Sequence, residues 1–165
     1  MKEIGARPLT AADFAAFGDV LDCSGEFDKL INEGLCERHH DRARLDFGTE
    51  IGGGRAGVSL FKAEPRTLPY ELTLIERHPE GSQCFVPMTQ HPFLVIVAED
   101  PSTEPCAFLT APGQAINFHR GTWHGVLTPL YAPGLFAVID RIGNTPNLQE
   151  HLFETPYLIT ENTVS

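Results

Sequence analysis

From about residue 56 onward the chain is cut into short apolar stretches, each bounded by glycine, proline or charge. Residues 57–62, 70–78, 83–88, 93–98, 107–110, 114–119, 125–128 and 135–141 have the length and composition of strands, with breaks such as Glu99-Asp100-Pro101 and Ala111-Pro112-Gly113 between them. The 15 glycines and 13 prolines are spread along the length, which suits many short elements rather than a few long helices. Strands in this number and at this spacing predict an all-β sandwich or jelly-roll barrel.

One short N-terminal helix is expected ahead of them. Thr10 is placed as its N-cap, Ala11 to Phe17 form its body, Asp13 completes a capping-box-like pattern and Gly18 ends it. Phe14 and Phe17 then share the face that docks on the strands. Residues 27–54 read as a loop-rich excursion with one or two short strands. The tail from residue 144 is less regular, and Tyr157 to Thr160 is a candidate edge strand. No repeat or linker interrupts the 165 residues, so a single domain over 1–165 is expected.

The formal net charge of −10 opposes phosphate backbones and anionic headgroups, so neither nucleic acid nor a membrane is an expected partner. Cys23, Cys36, Cys84 and Cys106 form neither a Cys-x-x-Cys pair nor a zinc pattern, and they read as reduced thiols. Met1-Lys2-Glu3-Ile4 is followed by no apolar signal segment, and the longest apolar run, residues 93–98, is too short to span a bilayer. A cytoplasmic protein is expected.

Two stretches carry the chemistry. In Leu72-Thr73-Leu74-Ile75-Glu76-Arg77-His78, alternation puts Leu72, Leu74, Glu76 and His78 on one face and Arg77 on the other, with Pro79 favouring an extended His78. Gly81 allows a turn that returns Gln83 towards His78. In the second stretch Asn117 and His119 share parity, Arg120-Gly121-Thr122 turns the chain, and Trp123-His124 follows. A lone histidine in a strand is more often structural than functional, which sets His39, His40, His91 and His151 aside. His78, His119 and His124 stand apart because each lies beside a strand end and a glycine turn. Trp123 reads equally as a core aromatic or as a lid. Asp140 shares a face with Phe136 and Val138, which favours a carboxylate inside the barrel over a surface pair with Arg141.

Glu76, His78 and Gln83 fall at the spacing of the first cupin motif, and His119-Arg120-Gly121-Thr122-Trp123-His124 matches the second with histidine in place of proline. The run Glu76-Arg77-His78-Pro79-Glu80-Gly81-Ser82-Gln83, then Asn117-Phe118-His119-Arg120, Trp123-His124 and Ile139-Asp140-Arg141, resembles the ureidoglycolate lyase family. Gly18-Asp19-Val20 and the segment 32–41 are similar to it as well. The resemblance implies a cupin-type jelly-roll β-barrel, a homodimer, and cleavage of (S)-ureidoglycolate to glyoxylate and urea in allantoin and purine-nitrogen breakdown. It also implies a divalent metal, nickel being the one associated with the family. His78, His124 and Gln83 would hold it, although Glu76 and Gln83 replace two of the usual cupin ligands.

On that reading His78, His119 and His124 supply acid–base groups or bind the metal. Glu76 and Asp140 orient histidines or act as the base. Gln83 and Asn117 bond the ureido group, Arg77 or Arg120 holds the carboxylate of the anionic ureido acid, and Trp123 lines its site. The competing expectations are a metal-dependent cupin oxidoreductase or isomerase on a small organic acid, and a non-catalytic small-molecule-binding cupin.

Overall fold

A computed structural model describes residues 1–162. The elements in chain order are β1 (Lys2–Pro8), α1 (Ala11–Phe14), β2 (Gly18–Leu21), β3 (Lys29–Ile31), β4 (Cys36–Arg38), β5 (Arg55–Ala63), β6 (Tyr70–Arg77) and β7 (Gln83–Pro87). They continue with β8 (Phe93–Ala98), β9 (Cys106–Leu109), β10 (Ala115–Phe118), β11 (Trp123–His124), β12 (Thr128–Pro129), β13 (Gly134–Ile142) and β14 (Gln149–Glu161).

One sheet runs β11-β6-β14-β1-β9-β8-β12, and β11 also pairs with β8, so six of these strands close into a ring. A five-stranded sheet, β2-β10-β7-β13-β5, packs against that ring, and β3 and β4 form a separate hairpin. This nearly all-β closed architecture with one short helix matches the cupin-type jelly-roll expectation.

β8 lies between two apolar clusters, and its six residues are all buried. Phe93, Val95 and Val97 join Phe14, Phe85, Phe108, Phe118, Phe136 and Val138 in one apolar cluster. Leu94, Ile96 and Ala98 point the other way, into a cluster with Ile4, Ala6, Leu72, Ile75 and Ile159. A strand covered on both faces reads as an unbroken apolar run, as residues 93–98 do.

Several elements differ from expectation. The helix stops at Phe14, because the chain must be extended from Gly18 to pair β2 with β10. Its cap is as expected, with the Thr10 hydroxyl accepting from the Asp13 amide. The tail forms a 13-residue strand between β6 and β1 rather than a short edge strand. Its inward residues are sparse in sequence, and it gains its place by parallel pairing with β1, itself unforeseen. The stretch 125–128 is replaced by the two short strands β11 and β12. Among the described residues no helix is long and apolar enough to cross a membrane.

The helix is held by one residue above all. Phe14 is fully buried, with ring centroids 6.0–6.2 Å from those of Phe17, Phe108 and Phe118. Truncation of a buried phenylalanine removes its transfer energy and leaves a cavity. Phe14→Ala is therefore expected to lower unfolding free energy by about 3–5 kcal/mol, read as a shift in the urea midpoint at unchanged slope.

Candidate active site

β6 brings Glu76 to the layer between the sheets, though not by simple alternation. Leu72 and Ile75 are both fully buried in the ring cluster while Leu74 is half-exposed, so side-chain parity reverses between residues 72 and 75. The reversal lies opposite a register shift in β14 between Leu152 and Tyr157. Beyond it Glu76 pairs in register with His124, and the ligand atoms of Glu76, His78 and His124 lie within 4.8 Å of one another.

Each histidine has its proton placed by a main-chain carbonyl. His78 Nδ1 is 2.8 Å from the Asn147 oxygen, and His124 Nδ1 is 2.9 Å from the Gly125 oxygen. A carbonyl only accepts, so Nδ1 donates and the neutral rings carry their lone pairs on Nε2. Both Nε2 atoms are buried without a hydrogen-bond partner, and His78 Nε2 stands 4.0 Å from Glu76 Oε1. His124 lies between two rings, flat on Phe118 at 4.2 Å and beside His78 at 5.4 Å. Burial, reinforced by neighbouring His78 and opposed by the Gly125 hydrogen bond, pushes its pKa down to about 4. Burial pushes Glu76 above the usual carboxylate range, helped by Glu150 and opposed by His78.

The five-stranded sheet supplies a second polar pair on the same inner layer. Gln83 shares parity with core Phe85, and Asp140 with core Phe136 and Val138. Gln83 Nε2 donates to Asp140 Oδ2 at 3.2 Å, leaving the buried Gln83 Oε1 without a partner. Two unpartnered imidazole nitrogens and an unpartnered amide oxygen buried in one layer are costly unless a ligand or water uses them.

The other expected site residues go elsewhere. Phe118 faces inward, so Asn117 and His119, one residue to either side, face outward. There Asp19 gathers the Arg44 amide at 2.8 Å and Asn117 Nδ2 at 3.0 Å. His119 Nε2 is 3.1 Å from Asp19 Oδ1. Burial alone would raise the Asp19 pKa, yet these neighbours together hold it below the ordinary value. Arg77 turns to the opposite face of β6, with its guanidinium 4.9 Å over the Trp123 ring and Nε bonded to Gln149 at 2.6 Å. Trp123 packs against the ring cluster. Arg120 is spent on the Pro79 carbonyl at 2.8 Å, Glu50 at 2.6 Å and Asp46 at 3.5 Å. The structure thus brings together Glu76, His78 and His124, sets Gln83 with Asp140 on the same layer, and separates Asn117, His119, Arg77, Arg120 and Trp123 from them. Asp19 and Asn147 were not anticipated; both act through groups distant in sequence, which no local spacing signals.

The family model for ureidoglycolate lyase matches residues 1–160. A ureidoglycolate lyase from Rhodobacter capsulatus is 57% identical over 162 residues, covering 96% of this chain and 99% of that protein. Ureidoglycolate lyase 2 from Rhizobium meliloti is 48% identical over 156 residues, covering 93% and 94%. A Mesorhizobium japonicum ureidoglycolate lyase is 47% identical over 162 residues, covering 96% and 98%.

The depressed His124 makes acid stability a direct reporter of its burial. In metal-free protein its pKa is about 4 folded against 6.5 ordinarily, so between these values the unfolded chain binds more protons. Stability is expected to fall as pH drops from about 6.5 to about 4, by on the order of 3 kcal/mol from this group. Urea midpoints across that window should show the slope in the native sequence and a shallower one in His124→Leu.

Proposed function

Because the chain belongs to the ureidoglycolate lyase family, we propose that it cleaves (S)-ureidoglycolate to glyoxylate and urea, in the cytoplasm, as a step of allantoin and purine-nitrogen breakdown. The observation that carries the reading at the level of the site is the inner polar layer: two histidines with unpartnered Nε2 atoms, the half-buried Glu76 carboxyl, and the Gln83–Asp140 pair.

The substrate carbon bears a hydroxyl, a ureido nitrogen and a carboxylate. Cleavage sends the C–N electron pair to nitrogen, while the O–H pair becomes part of the new carbonyl. One proton leaves the hydroxyl and one reaches the nitrogen, so the products are glyoxylate and neutral urea. We assign the hydroxyl proton to Asp140, a carboxylate facing the layer and steadied by the Gln83 amide. Gln83 Oε1, an acceptor without a partner, suits a ureido N–H.

The carboxylate of the substrate needs positive charge, and neither Arg77 nor Arg120 reaches the layer. A divalent ion such as the nickel implied by the resemblance fits here, because the two Nε2 atoms and the Glu76 carboxylate form a compact set of nitrogen and oxygen donors. We assign the third ligand to Glu76, which leaves Gln83 to the substrate. Such an ion supplies the charge that an anionic α-hydroxy acid requires. The same two-histidine, one-carboxylate set also supports a second reading, a metal-dependent oxidoreductase or isomerase.

We further propose a homodimer formed through the five-stranded sheet. β5 is its edge strand, and Val58 and Leu60 are 72% and 68% exposed there, beside Ile139 and Ala137 of β13. An exposed apolar edge of this kind is otherwise a liability.

Purified protein given racemic ureidoglycolate, with coupled detection of glyoxylate, tests the activity. His124→Ala, which removes a group proposed to hold the substrate in place through the ion, should turn over at least about 100-fold more slowly; a native rate no faster than spontaneous decay defeats the lyase reading and leaves the second. In sedimentation velocity, Val58→Lys with Leu60→Lys should convert a dimer to a folded monomer. A native chain already monomeric at micromolar concentration defeats the dimer.

A further inference from the structure

His78 can serve the layer only if its ring presents Nε2, and the group enforcing this lies 69 residues away on an irregular segment. Residues 143–148 connect β13 to β14 without regular structure. Their path is set by Glu80. The Asn147 Oδ1 accepts from the Glu80 amide at 2.7 Å, and the Thr145 hydroxyl donates to Glu80 Oε2 at 2.5 Å. Glu80 Oε2 in turn pairs with Arg141 Nη1 at 3.2 Å.

Arg141 is a buried anchor. Its side chain is 1% exposed, and Nη2 donates to the Ile51 carbonyl. A Cβ at Gly143 would collide with its guanidinium, and one at Gly54 would meet its Nε, so only glycine at these positions leaves room for it. A charge buried this deeply persists because it is paired, and removing a partner would strand it. The anchor therefore fixes Glu80, Glu80 fixes residues 145–147, and the Asn147 carbonyl arrives 2.8 Å from His78 Nδ1.

We infer that Asn147 is a positioning residue: by bonding the Glu80 amide through its side chain, it holds its own carbonyl against His78 Nδ1 and so keeps the Nε2 lone pair of His78 aimed at Glu76 and His124. Partners of this kind, one step behind the reacting or ligating atoms, set tautomer and ring orientation and typically contribute about 10–100-fold. The inference deepens the lyase reading, since it names what orients a residue of that site, but its structural half stands without any substrate.

The test uses the full-length chain with ¹⁵N-labelled histidine, metal-free and at a pH where His78 is neutral for the tautomer measurement, and supplied with nickel for the glyoxylate assay. The native protein should show His78 protonated on Nδ1 alone. Asn147→Ala should show a mixture of tautomers and, in the glyoxylate assay, a kcat lower by about 10–100-fold with little change in KM. Asn147→Asp, which retains an acceptor for the Glu80 amide, should restore both. If Asn147→Ala does not fold, Asn147→Ser, whose hydroxyl is too short to span to Glu80, is expected to give the same tautomer mixture. A single Nδ1–H tautomer persisting in the folded Ala or Ser variant overturns the inference, as does a folded Asp variant that behaves like Ala. A tautomer change in a chain whose native form releases no glyoxylate supports the positioning role while defeating the lyase reading.

Discussion

The ring closes through two residues. Trp123 and His124 are the whole of β11, and they join β6 on one side to β8 on the other. Strand alternation sends their side chains to opposite faces. Trp123 goes to the ring cluster, where Arg77 covers it, and His124 goes to the layer between the sheets, where Phe118 covers it. One dipeptide therefore completes the barrel, caps one apolar cluster and inserts an imidazole at the edge of the other. The site is inseparable from the fold at this point: the strand pairing that shuts the ring sets His124 opposite Glu76.

That arrangement explains which parts of the chain were legible in advance. The strands β5 to β10 and β13 stand out because each buries at least one face locally, so their apolar residues recur at short spacing. Asp140 was placed inward by the same alternation, through Val138 and Phe136, while Gln83 was brought towards His78 by the turn at Gly81. β1 and β14 were obscure because their pairing is parallel and joins the two ends of the chain. Glu76 reached its expected place by an unexpected route. Leu72 and Glu76 were read as sharing a face, yet a parity reversal opposite the β14 shift turns Leu72 to the ring and leaves Glu76 on the intersheet side. Asn117 and His119, expected in the site with His78, lie on the other face of their strand for a matching reason. Phe118 is the residue of that strand that the core requires, and its neighbours must then point outward.

The outward cluster still shapes the site indirectly. Asn117 bonds both Asp19 and the Arg44 carbonyl, and Ser82 bonds the Asp46 main chain, so the irregular segment between β4 and β5 is laced to β2, β10 and the start of β7. Arg120 ties the same segment to the Pro79 carbonyl, directly after His78. Polar residues that sequence spacing marked as chemical thus act partly as the frame around the turn that carries His78. Spacing alone cannot separate the two roles, because frame and site occupy the same few residues of chain on opposite faces.

Charge decides how the inner layer must work. The chain is acidic overall, and the layer contains Glu76 and Asp140 beside two histidines whose carbonyl partners settle the proton on Nδ1. With His124 depressed to about 4, it contributes no positive charge near neutral pH. An anionic substrate entering such a layer meets Glu76, Asp140 and the uncharged His124 ring, an unfavourable encounter in a medium of low effective dielectric. Either Glu76 takes up a proton or a cation joins it. Burial already moves Glu76 in the first direction, while the convergence of its oxygen with two free Nε2 atoms suits the second. The two are linked: a cation beside Glu76 favours its ionised form and cancels the upward push of burial. On the proposed metal reading, such an ion would compete with the proton that burial favours on Glu76.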